Sequence, residues 1–306
     1  MKTVVLNDIY SALKQPATQF ALLAYLALGY FTGFKFNINV GNDIAANAPY
    51  SIGVMTGLLS LMIILIATLL AFSVLFKESE TNFGSIVFTT PIKKRDFAFA
   101  RFLSFFLLTV SSFFVLMLGY ALGLHVQTNT ALLPEFHLWH YVYPFLIFGV
   151  INSLLVCSIL FYVAKKFQNK LLVAIAVLML YIIYMIVLMF SNAPFMAQSL
   201  PQSLFAQKVS AITDVFGLSA YFFDAKGYTV FERNHSIVSF NNILLINKSL
   251  SCCFTITNYS KTRHSCIFIS PRFQTKVKKE THKYSAQEKH AFRSVSYTHL
   301  TLPTSS

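Results

Sequence analysis

SIGVMTGLLSLMIILIATLLAFSVLF, residues 51–76, decides the fold. The stretch contains no Lys, Arg, Asp or Glu, and about 20 helical residues suffice to cross the roughly 30 Å hydrocarbon core of a bilayer. A charge at the centre of such a helix costs about 2.5–3.5 kcal/mol on insertion scales, so an uncharged run of this length reads as a membrane span. Four more stretches share the character: QFALLAYLALGYFTGF (19–34), FLSFFLLTVSSFFVLMLGYALG (102–123), VYPFLIFGVINSLLVCSILFYVA (142–164) and LLVAIAVLMLYIIYMIVLMF (171–190). Apolar helices also fill the cores of large soluble proteins. Here, however, five of them in 306 residues with only 11% charged leave too little polar chain to cover such a core; a soluble domain carries about 25%. The fold class expected is all-α: a polytopic membrane protein.

The bulk charge of +13 is unevenly spread. Residues 1–247 hold 14 basic and 9 acidic residues, a net +5, whereas residues 248–306 hold 10 and 2, a net +8. Nothing in the first 247 residues therefore asks for nucleic acid as a partner. Cysteine is as uneven: Cys157 lies in an apolar run, where a lone thiol behaves as a small hydrophobe, and Cys252, Cys253 and Cys266 fall late in the chain. That spacing frames neither disulfides nor a zinc site.

Short loops fix orientation through their Lys and Arg content. Lys2 and Lys14 precede the first span, and Lys77, Lys93, Lys94, Arg95 and Arg101 join the second to the third. Lys165, Lys166 and Lys170 join the fourth to the fifth, while 35–50 has only Lys35 and 124–141 has neither Lys nor Arg. These segments share one side if the N-terminus is cytoplasmic, which leaves 191–246 outside. Residues 1–16 space Val5, Ile9 and Leu13 four apart, one helical stripe, and predict a short helix in the interface ended by Pro16.

The connection KESETNFGSIVFTTPIKKRDFAFAR (77–101) is longer than a turn between helices requires. Glu78 and Glu80 lead it, an apolar centre follows, and Pro91 breaks the element before the basic cluster. Topology alone accounts for the basic residues; the leading acids and apolar centre ask for more. The acidic start after span two, the FTTPIKKRDF run (88–97) and the basic entry to span three resemble the ABC-2-type exporter permeases. The similarity is strongest to the branch fused to, or encoded with, an aminopeptidase-N-like metallopeptidase. Further matches are NAPYSIGVMTGLLSLMIILIATLLAFSVLF (47–76), YPFLIFGVINSLLVCSILFYVA (143–164), DVFGLSA (214–220) and YTVFERN (228–234); the likeness covers about residues 5 to 247.

The resemblance implies a six-span transmembrane domain, of which 17–247 holds five, with a coupling helix in 77–101 docked on a cytosolic ATP-binding subunit. Its contact residues would be Glu78, Glu80, Phe83, Ile86, Val87, Phe88, Pro91, Lys93, Lys94, Arg95 and Asp96: the acids meeting basic groups, the apolar residues filling a groove. Lys93 to Arg95 alternatively hold lipid phosphates, each contributing about 1 kcal/mol. It implies a second permease half or a homodimer, a bacterial inner-membrane location, and ATP with Mg on the partner subunit, with no cofactor or metal in this chain. A G-x-x-x-x-G-K-[ST] motif is missing, as is H-E-x-x-H, so neither P-loop nor zinc-peptidase chemistry is expected and the chain is not read as an enzyme. The alternative is the membrane anchor of an extracytoplasmic peptidase; a channel unlinked to ATP would place ionisable residues inside the five spans.

Three smaller features carry expectations. His137 and His140 stand three apart with His125 nearby, but Trp139, Tyr141 and Tyr143 read as an interfacial aromatic belt. GLLSLMIIL (57–65) and LGYALG (118–123) read as helix-packing contacts, and Glu232 with Arg233 as an extracytoplasmic salt bridge. After Asn247 the pattern changes: the sixth span implied by the resemblance is replaced by Lys, His, Ser and Cys. Residues 248–306 are expected to be a disordered, out-of-frame tail on a truncated chain, and VSYTHLTLPT (295–304) resembles translated sequencing adapter.

Overall fold

The computed structural model describes residues 2–35, 43–77, 94–126, 137–190, 203–237 and 242–268. All regular elements among these described residues are helical. Helix α1 (Lys2–Leu13) leads into α2 (Pro16–Lys35), with Pro16 as the first residue of α2, where its missing N–H costs nothing. The second crossing is divided into α3 (Pro49–Leu59) and α4 (Met62–Leu75). Helix α5 (Lys94–Val126) is the third. The fourth runs as α6 (Trp139–Pro144), one π-helical turn (Phe145–Val150) and α7 (Ile151–Phe167), and α8 (Lys170–Phe190) is the fifth. Then come α9 (Leu204–Thr213), α10 (Leu218–Asp224), a 3-10 turn (Ala225–Gly227), α11 (Val230–His235) and α12 (Asn242–Phe268).

The five expected crossings are present as helices long and apolar enough to span a membrane, at Pro16–Lys35, Pro49–Leu75, Asp96–Val126, Trp139–Phe167 and Lys170–Val187. The chain is an all-α, polytopic membrane protein. Crossings two, three and four form the centre, with 56%, 50% and 61% of their apolar windows buried, against 17% for the first and 11% for the fifth. Ile63, Ile66 and Leu70 of α4 meet Phe105 and Phe113 of α5 and Leu160 and Phe161 of α7 in the buried core.

How, then, is α2 held, when lipid supplies no hydrophobic force between helices? Gly29 and Gly33 of α2 face Gly119 and Gly123 of α5. A Cβ on Gly29 would overlap the Leu116 carbonyl, on Gly33 the Tyr120 carbonyl, on Gly119 the Leu26 carbonyl and on Gly123 the Tyr30 carbonyl. Two small-xxx-small faces thus bring the backbones together, the packing that membrane helices use in place of hydrophobic collapse. LGYALG (118–123) is a packing contact, as its glycines suggested, and GLLSLMIIL (57–65) is one too: Gly57 abuts the Leu218 side chain.

One expectation gains detail and one changes in part. Helix α1 forms over the expected stretch, and its inward face holds Val5, Asp8, Ile9 and Ala12, with Asp8 and Ala12 buried, while Leu6, Tyr10 and Leu13 are exposed. The disorder expected from 248 is corrected for residues 248–268 alone, which belong to α12, unbroken from Asn242 through Phe268; the rest of the expected tail, 269–306 with VSYTHLTLPT, lies outside the described residues. Its buried residues, Leu244, Asn247, Lys248, Ser251 and Thr255, recur at intervals of three and four along one face, and Leu245, Ile246, Leu250, Phe254 and Ile256 face outward. Helix α12 occupies the place in the chain where a sixth span was expected, packed on α7. With its polar face inward it is not among the helices apolar enough to count as a crossing.

Candidate functional site: a mid-bundle node and a charged rim

Backbone irregularities in three separate elements converge at one level. Crossing two is interrupted at Ser60–Leu61, crossing four contains its π-helical turn just before Asn152, and the α9–α10 hairpin brings its non-helical turn, residues 214–217, against both. Ser60 and Asn152 each lie well inside their crossings, so the hairpin dips from one end of the bundle toward its middle. Open backbone at membrane depth survives only where protein satisfies its polar groups.

Two amide side chains do most of this. Asn247 Nδ2 donates to the carbonyls of Ala211 (3.1 Å), Ile212 (3.1 Å) and Asp214 (2.6 Å), taking up the end of α9. Asn152 Nδ2 donates to the Phe216 carbonyl (3.1 Å) and the Ser60 hydroxyl (3.3 Å), and its Oδ1 accepts from Lys248 Nζ (2.7 Å). Lys248 Nζ also donates to the Phe216 carbonyl at 2.7 Å and stands 5.0 Å from the Phe148 ring centre. The Asp214 carboxylate accepts from the Phe216 N–H (2.9 Å) and the Ser219 N–H (2.7 Å), which caps the start of α10. Gly217 turns the chain at φ +76°, and a Cβ there would press on Asn247 Oδ1 and Lys248 Nζ, so no larger residue fits.

The hairpin is wedged by aromatic contacts. Phe216 meets the Tyr184 ring edge-on at 5.0 Å, and Tyr221 stacks on Tyr50 at 5.9 Å and meets Phe148 at 5.7 Å. Gly53 leaves the space that the Tyr221 ring enters. Beyond the hairpin, α11 pins the loop before α3. Asn234 Oδ1 accepts from the Ala45 N–H and Nδ2 donates to the Asp43 carbonyl, both at 3.0 Å, while the Arg233 guanidinium lies 5.1 Å from the Tyr50 ring centre.

The expected Glu232–Arg233 salt bridge is replaced by other partners. Adjacent helical residues point apart: Glu232 closes a capping box with Thr229, and Arg233 Nη2 donates to the Ala225 carbonyl at 3.2 Å. The Thr229 N–H and hydroxyl, both donating to Glu232, hold its carboxyl below the ordinary carboxylate value.

The rim lies at the end of the bundle where α1 sits. Arg101 Nη1 donates to Asp8 Oδ1 at 2.9 Å and to the Val74 carbonyl at 3.2 Å, with both ionic side chains at least 92% buried. Val74 is in the last turn of α4, where carbonyls lack helical partners. The Phe97 ring centre lies 5.3 Å from the guanidinium carbon, and one turn after Asp8 the Ser11 hydroxyl accepts from Lys77 Nζ at 2.6 Å. Arg101, which topology alone explained in the sequence, is therefore a buried junction residue. Asp8 was missed; its signal was an acid on the same face as Val5 and Ala12.

Of the residues expected to contact an ATP-binding subunit, Glu78, Glu80, Phe83, Ile86, Val87, Phe88, Pro91 and Lys93 lie outside the described residues. Lys94 and Arg95 open α5, and Asp96 is exposed in its first turn. At the opposite end of the bundle, the His125 ring and Tyr141 hydroxyl approach to 3.5 Å and the His137 and His140 rings to 5.1 Å. Among the described residues no three His, Cys, Asp or Glu side chains gather in a metal-binding group. In comparisons with known proteins, no family model matches the chain and no curated protein matches it.

Proposed function

We propose that this chain is the transmembrane permease of an ATP-driven ABC-2-type exporter, working with a separate cytosolic ATP-binding subunit and a second permease half or second copy. The N-terminus is cytoplasmic in this reading, which puts the α1 rim beside the ATP-binding subunit and the hairpin side outside a bacterial inner membrane. The observation that supports it is the anchoring of both flanks of the 77–101 segment, whose residues 78–93 lie outside the described residues. Its two ends, Lys77 and Arg101, are both anchored to α1, so a subunit docking on 78–93 would pull on an interfacial helix and on two central crossings together. The acids and apolar residues of that segment, and Lys94, Arg95 and Asp96 beyond it, form the docking surface.

The test uses the full chain expressed in its own host and purified gently from the membrane. A co-purifying subunit with a P-loop sequence and Mg-dependent ATP hydrolysis is expected, with both lost on Glu78→Lys/Glu80→Lys. Recovery of the chain free of any ATPase would overturn the reading. Charge reversal with no consequence would favour a membrane anchor for an extracytoplasmic peptidase instead.

A further inference from the structure

We infer that the Asp8–Arg101 pair is a latch that makes α1, the end of α4 and the start of α5 move as one body, so that a force applied at the end of α4 or the start of α5 is carried into α1. The inference rests on the permease reading for the source of that force; the latch itself rests on the rim geometry.

Four observations support it. Asp8 and Ser11 stand one turn apart on α1, and they hold opposite flanks of the excursion: Arg101 after it, Lys77 before it. Arg101 bridges two elements with one nitrogen, Asp8 of α1 and the Val74 carbonyl of α4. A guanidinium fixes that three-way register through directed hydrogen bonds, which a greasy contact cannot do. The pair is buried, where an ion pair stabilises no better than well-packed apolar residues of the same volume; its distinctive contribution is position rather than adhesion. Finally, the other face of α1 presents Leu6 and Tyr10, exposed at 66% and 59%, with Lys2 and Lys14 beside them, the pattern of a helix resting in a lipid interface. Apolar contacts of Ile9 and Ala12 also hold α1 to the bundle, but the ion pair and its hydrogen bond are directional and fix its register. Asp8 and Arg101 act as positioning residues: neither is placed to touch substrate or nucleotide.

The test has two readouts on the full chain in membranes. In the first, Ser11→Cys/Lys77→Cys is bridged by a short bis-methanethiosulfonate reagent that a reductant reverses. The bridge should form readily in the parent, fall about tenfold or more in Asp8→Asn and Arg101→Gln, and recover in the swap Asp8→Arg/Arg101→Asp. Equal bridging in all backgrounds overturns the latch. In the second, a fluorophore on Tyr10→Cys in the complex with its ATPase subunit should change its emission when ATP and vanadate are added. Asp8→Asn should abolish that response, and Asp8→Glu or the reversible bridge should restore it. An undiminished response in Asp8→Asn, or one that the bridge fails to restore, overturns the inference. Should no ATPase subunit be found, the permease reading fails, while the bridging yields still decide whether the latch exists.

Discussion

At the rim, Arg101 brings a full charge into a buried position and meets the opposite charge of Asp8 directly; at the mid-bundle node, the amides of Asn152 and Asn247, with Lys248 and the Asp214 carboxylate, secure an interrupted backbone. Both sites hold together elements distant in sequence. The rim joins three elements whose helices are regular there, so one guanidinium reaching Asp8 and the Val74 carbonyl is enough. The node holds a hairpin whose carbonyls would otherwise face hydrocarbon, so it needs several donors at once. One Asn247 amide serves three carbonyls, and Lys248 and Asn152 share a fourth, that of Phe216. The chemistry at each place follows the number of groups to be satisfied.

The contrast is broken most severely at the rim. Arg101→Ala leaves the Asp8 carboxylate buried without its guanidinium, and should destabilise the protein by about 3–5 kcal/mol, measured as a drop in thermal unfolding temperature in detergent. The paired change Asp8→Leu/Arg101→Leu should recover most of that stability, since apolar replacement of a buried pair is often neutral, while failing the bridging test. A double variant no more stable than Arg101→Ala would mean that the pair is the adhesive after all.

At the node, Asn247→Ala should cost about 1–3 kcal/mol by stranding buried carbonyls, and hydrogen exchange should rise over residues 211–219 but not over α1. Gly217→Ala forces a side chain into a positive-φ position already crowded by Asn247 and Lys248, and should loosen the same segment by about 1–3 kcal/mol. If exchange at α1 rises equally in these two variants, rim and node are one cooperative unit rather than two.

The smallest effect concerns α11, which secures the loop leading to α3. The Glu232 carboxyl is held below the ordinary value of 4.5 by donors from Thr229. A depressed acid contributes fully above its unfolded value and loses that contribution as pH falls through its lower folded value. Protection of the α11 amides should therefore be level above pH 4.5 and fade in more acidic buffer, and Glu232→Gln should flatten that dependence. Identical acid profiles for the two proteins would remove Glu232 from the account.

Much of the bundle was legible because its signal is local. A crossing announces itself in its own residues, and the glycines at 119 and 123 marked a packing face before any partner was known. What stayed hidden was polar. Helix α12 escaped because its inward stripe is Asn247, Lys248, Ser251 and Thr255, whereas a helical face is ordinarily recognised by apolar residues turned inward. On α12 the order is reversed, and apolar residues such as Leu250 and Phe254 point out. The Glu232–Arg233 pairing was misjudged for a similar reason: neighbours in sequence diverge on a helix, and each found a partner elsewhere.

Sequence by itself determined that this is an all-α membrane protein of at least five crossings with a basic excursion after the second, because transfer into lipid is summed over one contiguous segment. Only the tertiary structure decided that Asp8 meets Arg101 across 93 positions, and that a loop outside the spans returns to seat Phe216 against Asn152. Those pairings depend on which helix faces meet, and no local property of either residue specifies its partner.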